Sequence, residues 1–271
     1  MFVIISLIIS FAVLGLVYFL STQRTISIER RFNTLIALRE VLLLCRQHRA
    51  MTHHALNQDD TRACEAKVAA QQLKLTQVSN QLVSLAAFDN KAMYRVLQLK
   101  LNGLETEWTK RSIGRNQRIH GTAIRHCMFL IDDLALEWLI ESGRHDLSDE
   151  YHMNWQQVLD SMEVLTQLRI CIQESHQPNG HLRIKYYCDK VLHKLDHLSL
   201  ISALPIRSPQ GDQVQQLLKS IIQEDELPID NLQLYQLTSN VSSLIAAVYD
   251  DMLSDLSESL HQPLPELAPS Q

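Results

Sequence analysis

Two arginines in this chain lie on helix faces that are otherwise turned toward a protein interior. Helical wheels for residues 34–56 and 151–172 place Arg49 in the middle of one buried face and Arg169 in the middle of another. A guanidinium stays charged at neutral pH, so a buried one requires an anionic partner or a full set of hydrogen-bond acceptors. The other residues of the two faces are Leu38, Leu42, Cys45, Thr52 and Leu56, and Tyr151, Trp155, Val158, Met162, Leu165 and Ile172.

Two kinds of partner satisfy this requirement, and the sequence leaves both open. The first is a carboxylate from another helix, for which Asp132, Asp133, Glu137 and Asp160 are available. The second is a small planar anion that binds and leaves, since the guanidinium fork matches two oxygens of such an ion. In the second case the free energy of binding would change how the helices pack.

Further basic and titratable groups lie near Arg49 on the same helix. Arg46 is at the edge of the buried face, with Arg39 before it and His53 after it. His53, next to His54, could tune anion binding by pH, because protonation near its ordinary pKa of about 6.5 would add positive charge.

The stretch LREVLLLCRQHRAMT, from Leu38 to Thr52, resembles the first-helix motif of nitrate- and nitrite-sensing (NIT) domains. In that motif a hydrophobic helix runs into Gln, an acidic residue or His, Arg, a small residue, and then Ser or Thr. The resemblance implies a helical double bundle that binds nitrate or nitrite through arginines. By position it assigns the anion to Arg49, with Arg46 as a neighbour that shares it and Thr52 as the polar residue. His48 and Ala50 replace the usual Glu and Gly, and Arg169 has no counterpart in this motif.

The elements that position these residues begin with an apolar segment. The first twenty residues contain no charged side chain, and a helix of that length spans a hydrocarbon core of about 30 Å. We therefore predict a single-pass transmembrane anchor over residues 1–22. Arginines follow this segment and none precedes it, which favours an inner (cell) membrane location with the body in the cytoplasm.

The remainder of the chain is predicted to be helical. Only 7 Gly and 7 Pro occur in 271 residues, and no strand pattern persists. We predict an all-α fold in which the transmembrane helix is followed by a double antiparallel four-helix bundle over residues 23–262, with possible halves 23–143 and 148–260. Residues 263–271 are predicted to be a flexible tail. The predicted body helices are 23–56, 61–87, 89–112, 115–142, 148–177, 181–203, 208–223 and 229–260.

A short similarity between the halves raises the possibility of duplication. Residues 42–47 (LLLCRQ) match residues 168–173 (LRICIQ) at a constant offset. A duplicated four-helix unit and chance in a leucine-rich chain both explain the match.

Function is limited further by what the sequence lacks. It has no glycine-rich phosphate loop, nucleophile elbow or carboxylate constellation, so we expect no enzyme and no cofactor. The five cysteines are scattered, the pair His193 and His197 stands alone, and we expect no metal site. A net charge of −5 argues against nucleic acid.

We expect a membrane-anchored helical sensor of nitrate or nitrite that signals to an unidentified protein partner, with a homodimer possible. The alternative is a membrane-anchored scaffold or assembly factor without a small-molecule ligand. It would hold its partner through the acidic last helix or the basic stretch 110–125, and its inward arginines would pair internally.

Overall fold

The computed structural model describes residues 2–57, 61–224 and 226–266. Within these ranges all regular structure is helical and no β-strand is present, so the prediction of an all-α fold is confirmed. The helices are α1 (Phe2–Asn57), α2 (Thr61–Leu85), α3 (Lys91–Glu105), a 3-10 turn (Trp108–Lys110), α4 (Ile113–Glu141), α5 (His145–Gln173), α6 (Gly180–Ile201), α7 (Ala203–Ile206), α8 (Pro209–Gln223) and α9 (Asn231–Leu260).

Helix α1 has two parts with different surroundings. All residues from Ile4 to Leu20 are exposed, and this part is long and apolar enough to cross a membrane by length and composition. From Phe32 onward α1 contributes buried residues to the protein core. The predicted transmembrane helix therefore continues without interruption into the body.

The body consists of two groups of four helices, and the helices pack in the same order in both groups. In the first, α1 packs against α2 and α4, and α3 completes the group. In the second, α5 packs against α6 and α9, and α8 completes it, with α7 as a short link. The two groups join where α4 packs against α5. Arg49 lies on the first helix of one group and Arg169 on the first helix of the other, while duplication itself stays a hypothesis.

Long-range contacts show that neighbouring helices run antiparallel. Between α1 and α4, Arg31 pairs with Glu137, whereas the farther residue Thr52 meets Asn116. Between α1 and α9, Arg39 pairs with Asp250 and the ring of His53 packs on Tyr235. The carboxyl end of α9 therefore lies beside the part of α1 nearest the apolar segment.

Capping residues set several helix starts where the sequence indicates them. Ser112 and Ser208 accept hydrogen bonds from backbone amides in the first turns of α4 and α8. Asp230 and Gln233 form a capping box at the start of α9. Gly143 ends α4 with a φ of 70°, a conformation that favours glycine.

Several helix boundaries differ from the prediction by one residue to about one turn, and three differences change the local structure. Helix α5 begins at His145 rather than at Ser148, one turn early, and Arg144 ahead of it forms an ion pair with Asp146. The segment 89–112 is broken after Glu105 into α3 and the 3-10 turn, where Arg111 donates to the carbonyls of Gly103, Leu104 and Thr106. The segment 208–223 is preceded by the extra short helix α7.

The chain after α9 folds back on the body over the residues that are described. Leu264 is buried, and the Pro265 carbonyl accepts a hydrogen bond from Arg39 Nη1 at 3.2 Å. The ring of His261 packs edge-on against Phe32. These contacts place Leu264 and Pro265 of the predicted tail against the body, while the flexibility of residues 263–271 stays a prediction. Residues 267–271, and residues 58–60 of the predicted break after α1, lie outside the described residues.

Candidate functional site

A cavity of about 750 Å³ lies between α1 and α9, in the half of the body farthest from the apolar segment. Arg46, Arg49 and His53 reach it from α1, and Arg169 reaches it from α5. The facing wall comes from α9 and includes Tyr235, Thr238 and Ser242. Four of the five residues predicted for the ligand site therefore line one cavity.

Arg49 and Arg169 are buried, as their positions on the helical wheels predict, with 8% of each exposed. Arg49 Nη2 donates to the Ser242 hydroxyl at 3.1 Å. Arg169 donates from Nε to the Thr238 hydroxyl at 3.2 Å and from Nη2 to the Thr238 carbonyl at 3.0 Å. Because Thr238 and Ser242 are one helical turn apart on α9, the two guanidiniums are held side by side.

The guanidiniums of this cavity have no carboxylate in direct contact among the described residues. Within the described chain, no acidic side chain lines the cavity or forms an ion pair with Arg46, Arg49 or Arg169. Of the acids available to the alternative explanation, Glu137 pairs with Arg31 and Asp160 with Lys194. The cavity thus holds guanidiniums without counterions.

The electrostatic consequence appears in the pKa values. Burial, followed by the charge of Arg46, lowers the pKa of Arg49 to about 10. Burial and the neighbouring Arg49 hold the pKa of Arg169 well below its ordinary value. A bound anion would offset this repulsion and raise both pKa values, because an opposite charge favours the charged form.

Arg46 lies at the boundary of the cavity. It is half-buried, and its Nε atom is buried without a hydrogen-bond partner in the described chain. A guanidinium carries five N–H donors, and each one that is buried without an acceptor costs free energy. A ligand or water that accepted from Arg46 Nε would remove this cost.

His53 is held from two sides. Its ring packs on Tyr235 with centroids 4.4 Å apart, and its Nδ1 accepts from the Gln117 amide at 3.0 Å. An amide nitrogen only donates, so the proton of the neutral ring is on Nε2. Burial, and then the charges of Arg169 and Arg49, lower the pKa of His53 to about 4. Without an anion, His53 therefore does not titrate near 6.5.

Thr52 is placed differently from the other predicted ligand residues. It is fully buried inside the first bundle and is absent from the cavity lining. Its hydroxyl donates to the His48 carbonyl at 2.8 Å and accepts from Asn116 Nδ2 at 2.9 Å. The side chain points toward α4 rather than α9, because it lies on the opposite side of α1 from Ala50 and His54.

The reasoning from sequence missed the α9 wall and Gln117. A signal was present, since Thr238 and Ser242 are polar residues at core positions of an otherwise apolar helix face and are buried in the structure. Hydroxyls at such positions are unusual unless they meet a polar group from another helix. No such feature of the sequence marked Gln117 as a residue of the cavity.

Comparison of the chain with protein-family models, curated proteins and solved structures finds no match. The described residues also contain no group of three or more His, Cys, Asp or Glu that could hold a metal ion. The chemistry of the site therefore has to be argued from the cavity itself.

Proposed function

We propose that this protein is a membrane-anchored helical sensor that binds a small planar oxyanion, nitrate or nitrite, between α1 and α9 and signals to a partner protein. One observation carries the proposal. Arg49 and Arg169, two buried guanidiniums from different bundles, line one cavity whose described walls contain no acidic side chain.

The donors of these guanidiniums suit a planar anion. Arg49 uses Nη2 for Ser242, and Arg169 uses Nε and Nη2 at Thr238, which leaves further N–H groups for a ligand. Charge-assisted hydrogen bonds from guanidinium to oxyanion are stronger than neutral ones, and burial strengthens them further. Nitrate and nitrite present two oxygens in one plane, which is the geometry that the guanidinium fork matches.

Binding would act on the arrangement of the two bundles. They pack directly through α4 and α5, while Arg39 and Asp250 join α1 to α9 at the end near the apolar segment. The cavity separates α1 from α9 on the other side of that ion pair. An anion held by Arg49 and Arg169 would draw α1 toward α5 and α9. We propose this closure as the signal.

The proposed setting is the inner (cell) membrane, with the body in the cytoplasm. The support is the apolar start of α1 followed by the exposed residues Arg24 and Arg30 on one side only. A protein partner, or a second copy of the chain, would receive the change in helix packing.

The scaffold alternative requires that the inward arginines pair within the fold. Such pairing is present at Arg39, which contacts Asp250. At Arg49 and Arg169 the partners are hydroxyls and a carbonyl. This difference favours the sensor.

Isothermal titration calorimetry of the full chain in detergent, with nitrate, nitrite and chloride, tests the proposal. We expect heat of binding with nitrate or nitrite and loss of that heat in Arg49→Met. Arg118→Met, which removes an exposed arginine away from the cavity, is the matched control and should bind normally. Absence of binding and of thermal stabilisation with all three anions would reject the proposal.

A further inference from the structure

A second, smaller cavity of about 140 Å³ adjoins the first. Arg46 lines both cavities and so stands between them. The other polar groups of the smaller cavity are Tyr249 and the Arg39–Asp250 ion pair. Its remaining lining is aliphatic, and one guanidinium faces the cavity from each side.

Tyr249 contributes a buried hydroxyl. The residue is 1% exposed, and its Oη atom is buried. Its polar neighbour is the Tyr151 hydroxyl, which acts on Tyr249 as a hydrogen-bond donor and lowers its pKa against the larger effect of burial. The Tyr249 hydroxyl therefore keeps its own proton for an acceptor, which an oxyanion in the cavity would supply.

Arg46 forms no ion pair on this side among the described residues, although the Asp250 carboxylate is near enough to raise its pKa. Asp250 is the only acid lining the smaller cavity among the described residues, and both of its oxygens are occupied by Arg39. The charge of Arg46 lowers the pKa of the Tyr249 hydroxyl against the larger effect of burial, so the two groups are close enough to act on one ligand.

We infer that the smaller cavity is a second oxyanion site, in which Arg46 and the Tyr249 hydroxyl hold a planar oxyanion group. The inference rests on the proposed function, because it extends the same cavity system. The group is either a second nitrate or nitrite ion or the far carboxylate of a dicarboxylate whose near carboxylate lies between Arg49 and Arg169.

Charge and volume both support two oxyanion positions. Asp250 is paired with Arg39, so Arg46, Arg49 and Arg169 converge without an acid of their own, and one monovalent ion leaves two of the three uncompensated. The larger cavity alone, at about 750 Å³, greatly exceeds the volume of about 30 Å³ that one water occupies in the liquid. A single nitrate ion would neither neutralise the three guanidiniums nor occupy the cavity volume.

Calorimetric stoichiometry of the full chain in detergent tests the inference. We expect two nitrate ions per chain, and Tyr249→Phe should weaken one of the two by roughly tenfold, as expected for a lost hydrogen bond to a charged group. Tyr151→Phe removes the neighbouring hydroxyl, which does not line the cavity, and should leave two nitrate ions per chain because the Tyr249 donor remains. Arg46→Met should leave one ion per chain.

Succinate distinguishes the two sources of the second group. Binding of one succinate with displacement of two nitrates assigns a dicarboxylate, and failure of succinate to displace nitrate assigns two separate ions. A single nitrate per chain whose affinity Tyr249→Phe does not change would overturn the second site and leave the proposed function standing. Absence of any anion binding would overturn both.

Discussion

Arg39 and Asp250 form a two-pronged ion pair between α1 and α9, with Nε–Oδ1 and Nη2–Oδ2 distances of 2.6 and 2.5 Å. Farther along the same helix, Arg49 reaches the same neighbour, where the Ser242 hydroxyl is its one hydrogen-bond acceptor among the described residues. One pair of helices therefore carries an arginine whose charge is compensated within the fold and another whose charge is not. This contrast separates a structural arginine from a candidate ligand-binding one.

Replacing these two arginines by Met should change stability in opposite directions. Arg39→Met leaves Asp250 without its partner and should lower the free energy of unfolding by about 2 kcal/mol, less than for a fully buried pair because the Asp250 side chain is 33% exposed. Arg49→Met removes an uncompensated buried charge and should raise the free energy of unfolding by about 1 kcal/mol in anion-poor buffer. Thermal unfolding followed by circular dichroism measures both. A large loss of stability in Arg49→Met would indicate an internal partner.

Anion binding should be coupled to proton uptake at His53. The pKa of His53 is lowered to about 4 by burial and by the charges of Arg169 and Arg49. An anion offsets those charges and raises the pKa, so the bound state takes up protons and affinity should increase as pH falls below 6.5. Calorimetry in two buffers of different ionisation enthalpy counts these protons. His53→Gln should abolish the uptake, and His54→Gln, at the exposed mouth of the cavity, serves as the control.

A second pair of histidines should make the fold sensitive to acid. His120 Nδ1 donates to the Asn116 carbonyl at 2.8 Å, so its Nε2 accepts from His48 Nδ1, also at 2.8 Å. Both rings are fully buried and neutral. Burial and the charge of Arg111 lower the pKa of His48 to about 4, and burial with His48 lowers that of His120 well below 6.5.

The unfolded chain binds protons below pH 6.5 while the folded chain does not, so stability is complete above pH 6.5 and is lost as pH falls toward 4. For His48 alone, a lowering from 6.5 to about 4 corresponds to about 3 kcal/mol. Urea unfolding between pH 7.5 and 5 measures the slope. The double variant His48→Leu, His120→Leu should flatten it, and an unchanged slope would assign the acid sensitivity to other groups.

Thr52→Val should separate a packing role from a ligand role. The Thr52 hydroxyl accepts from the Asn116 amide in the interior, and its loss leaves that donor unsatisfied at a cost of about 1–2 kcal/mol. Nitrate affinity of the folded variant should stay within twofold of the original, because Thr52 does not line the cavity. Ser242→Ala, which removes the hydroxyl that accepts from Arg49, should weaken binding without a comparable loss of stability. If Thr52→Val weakened nitrate binding and Ser242→Ala did not, Thr52 would belong to the ligand site.

Closure of the cavity predicts a shorter distance between its two walls. Spin labels at Asn57 on α1 and Gln236 on α9, both lining the mouth, should approach each other when nitrate is added. A label pair at Arg118 on α4 and Gln156 on α5, on the two helices that join the bundles, should keep its distance. Pulsed electron resonance on the full chain, with Cys64 replaced by Ser, measures both pairs. Equal distances with and without nitrate would exclude closure as the signal.

The sequence by itself determined the helices and the direction of the two key arginines. Apolar periodicity, the helix start at Ser208 and the turn at Gly143 are local features, so they can be read without knowing what lies across the core. The same periodicity placed Arg49 and Arg169 inside, and both are buried.

Only the tertiary structure decided what those arginines meet. Whether a guanidinium faces Asp250, as Arg39 does, or a hydroxyl of α9, as Arg49 does, depends on the register between helices far apart in sequence. The same register turned Thr52 toward Asn116 and away from the cavity. Helix periodicity fixes which side of a helix is buried, but the identity of the neighbour on that side is a property of packing, and packing sets whether a buried charge is paired or left for a ligand.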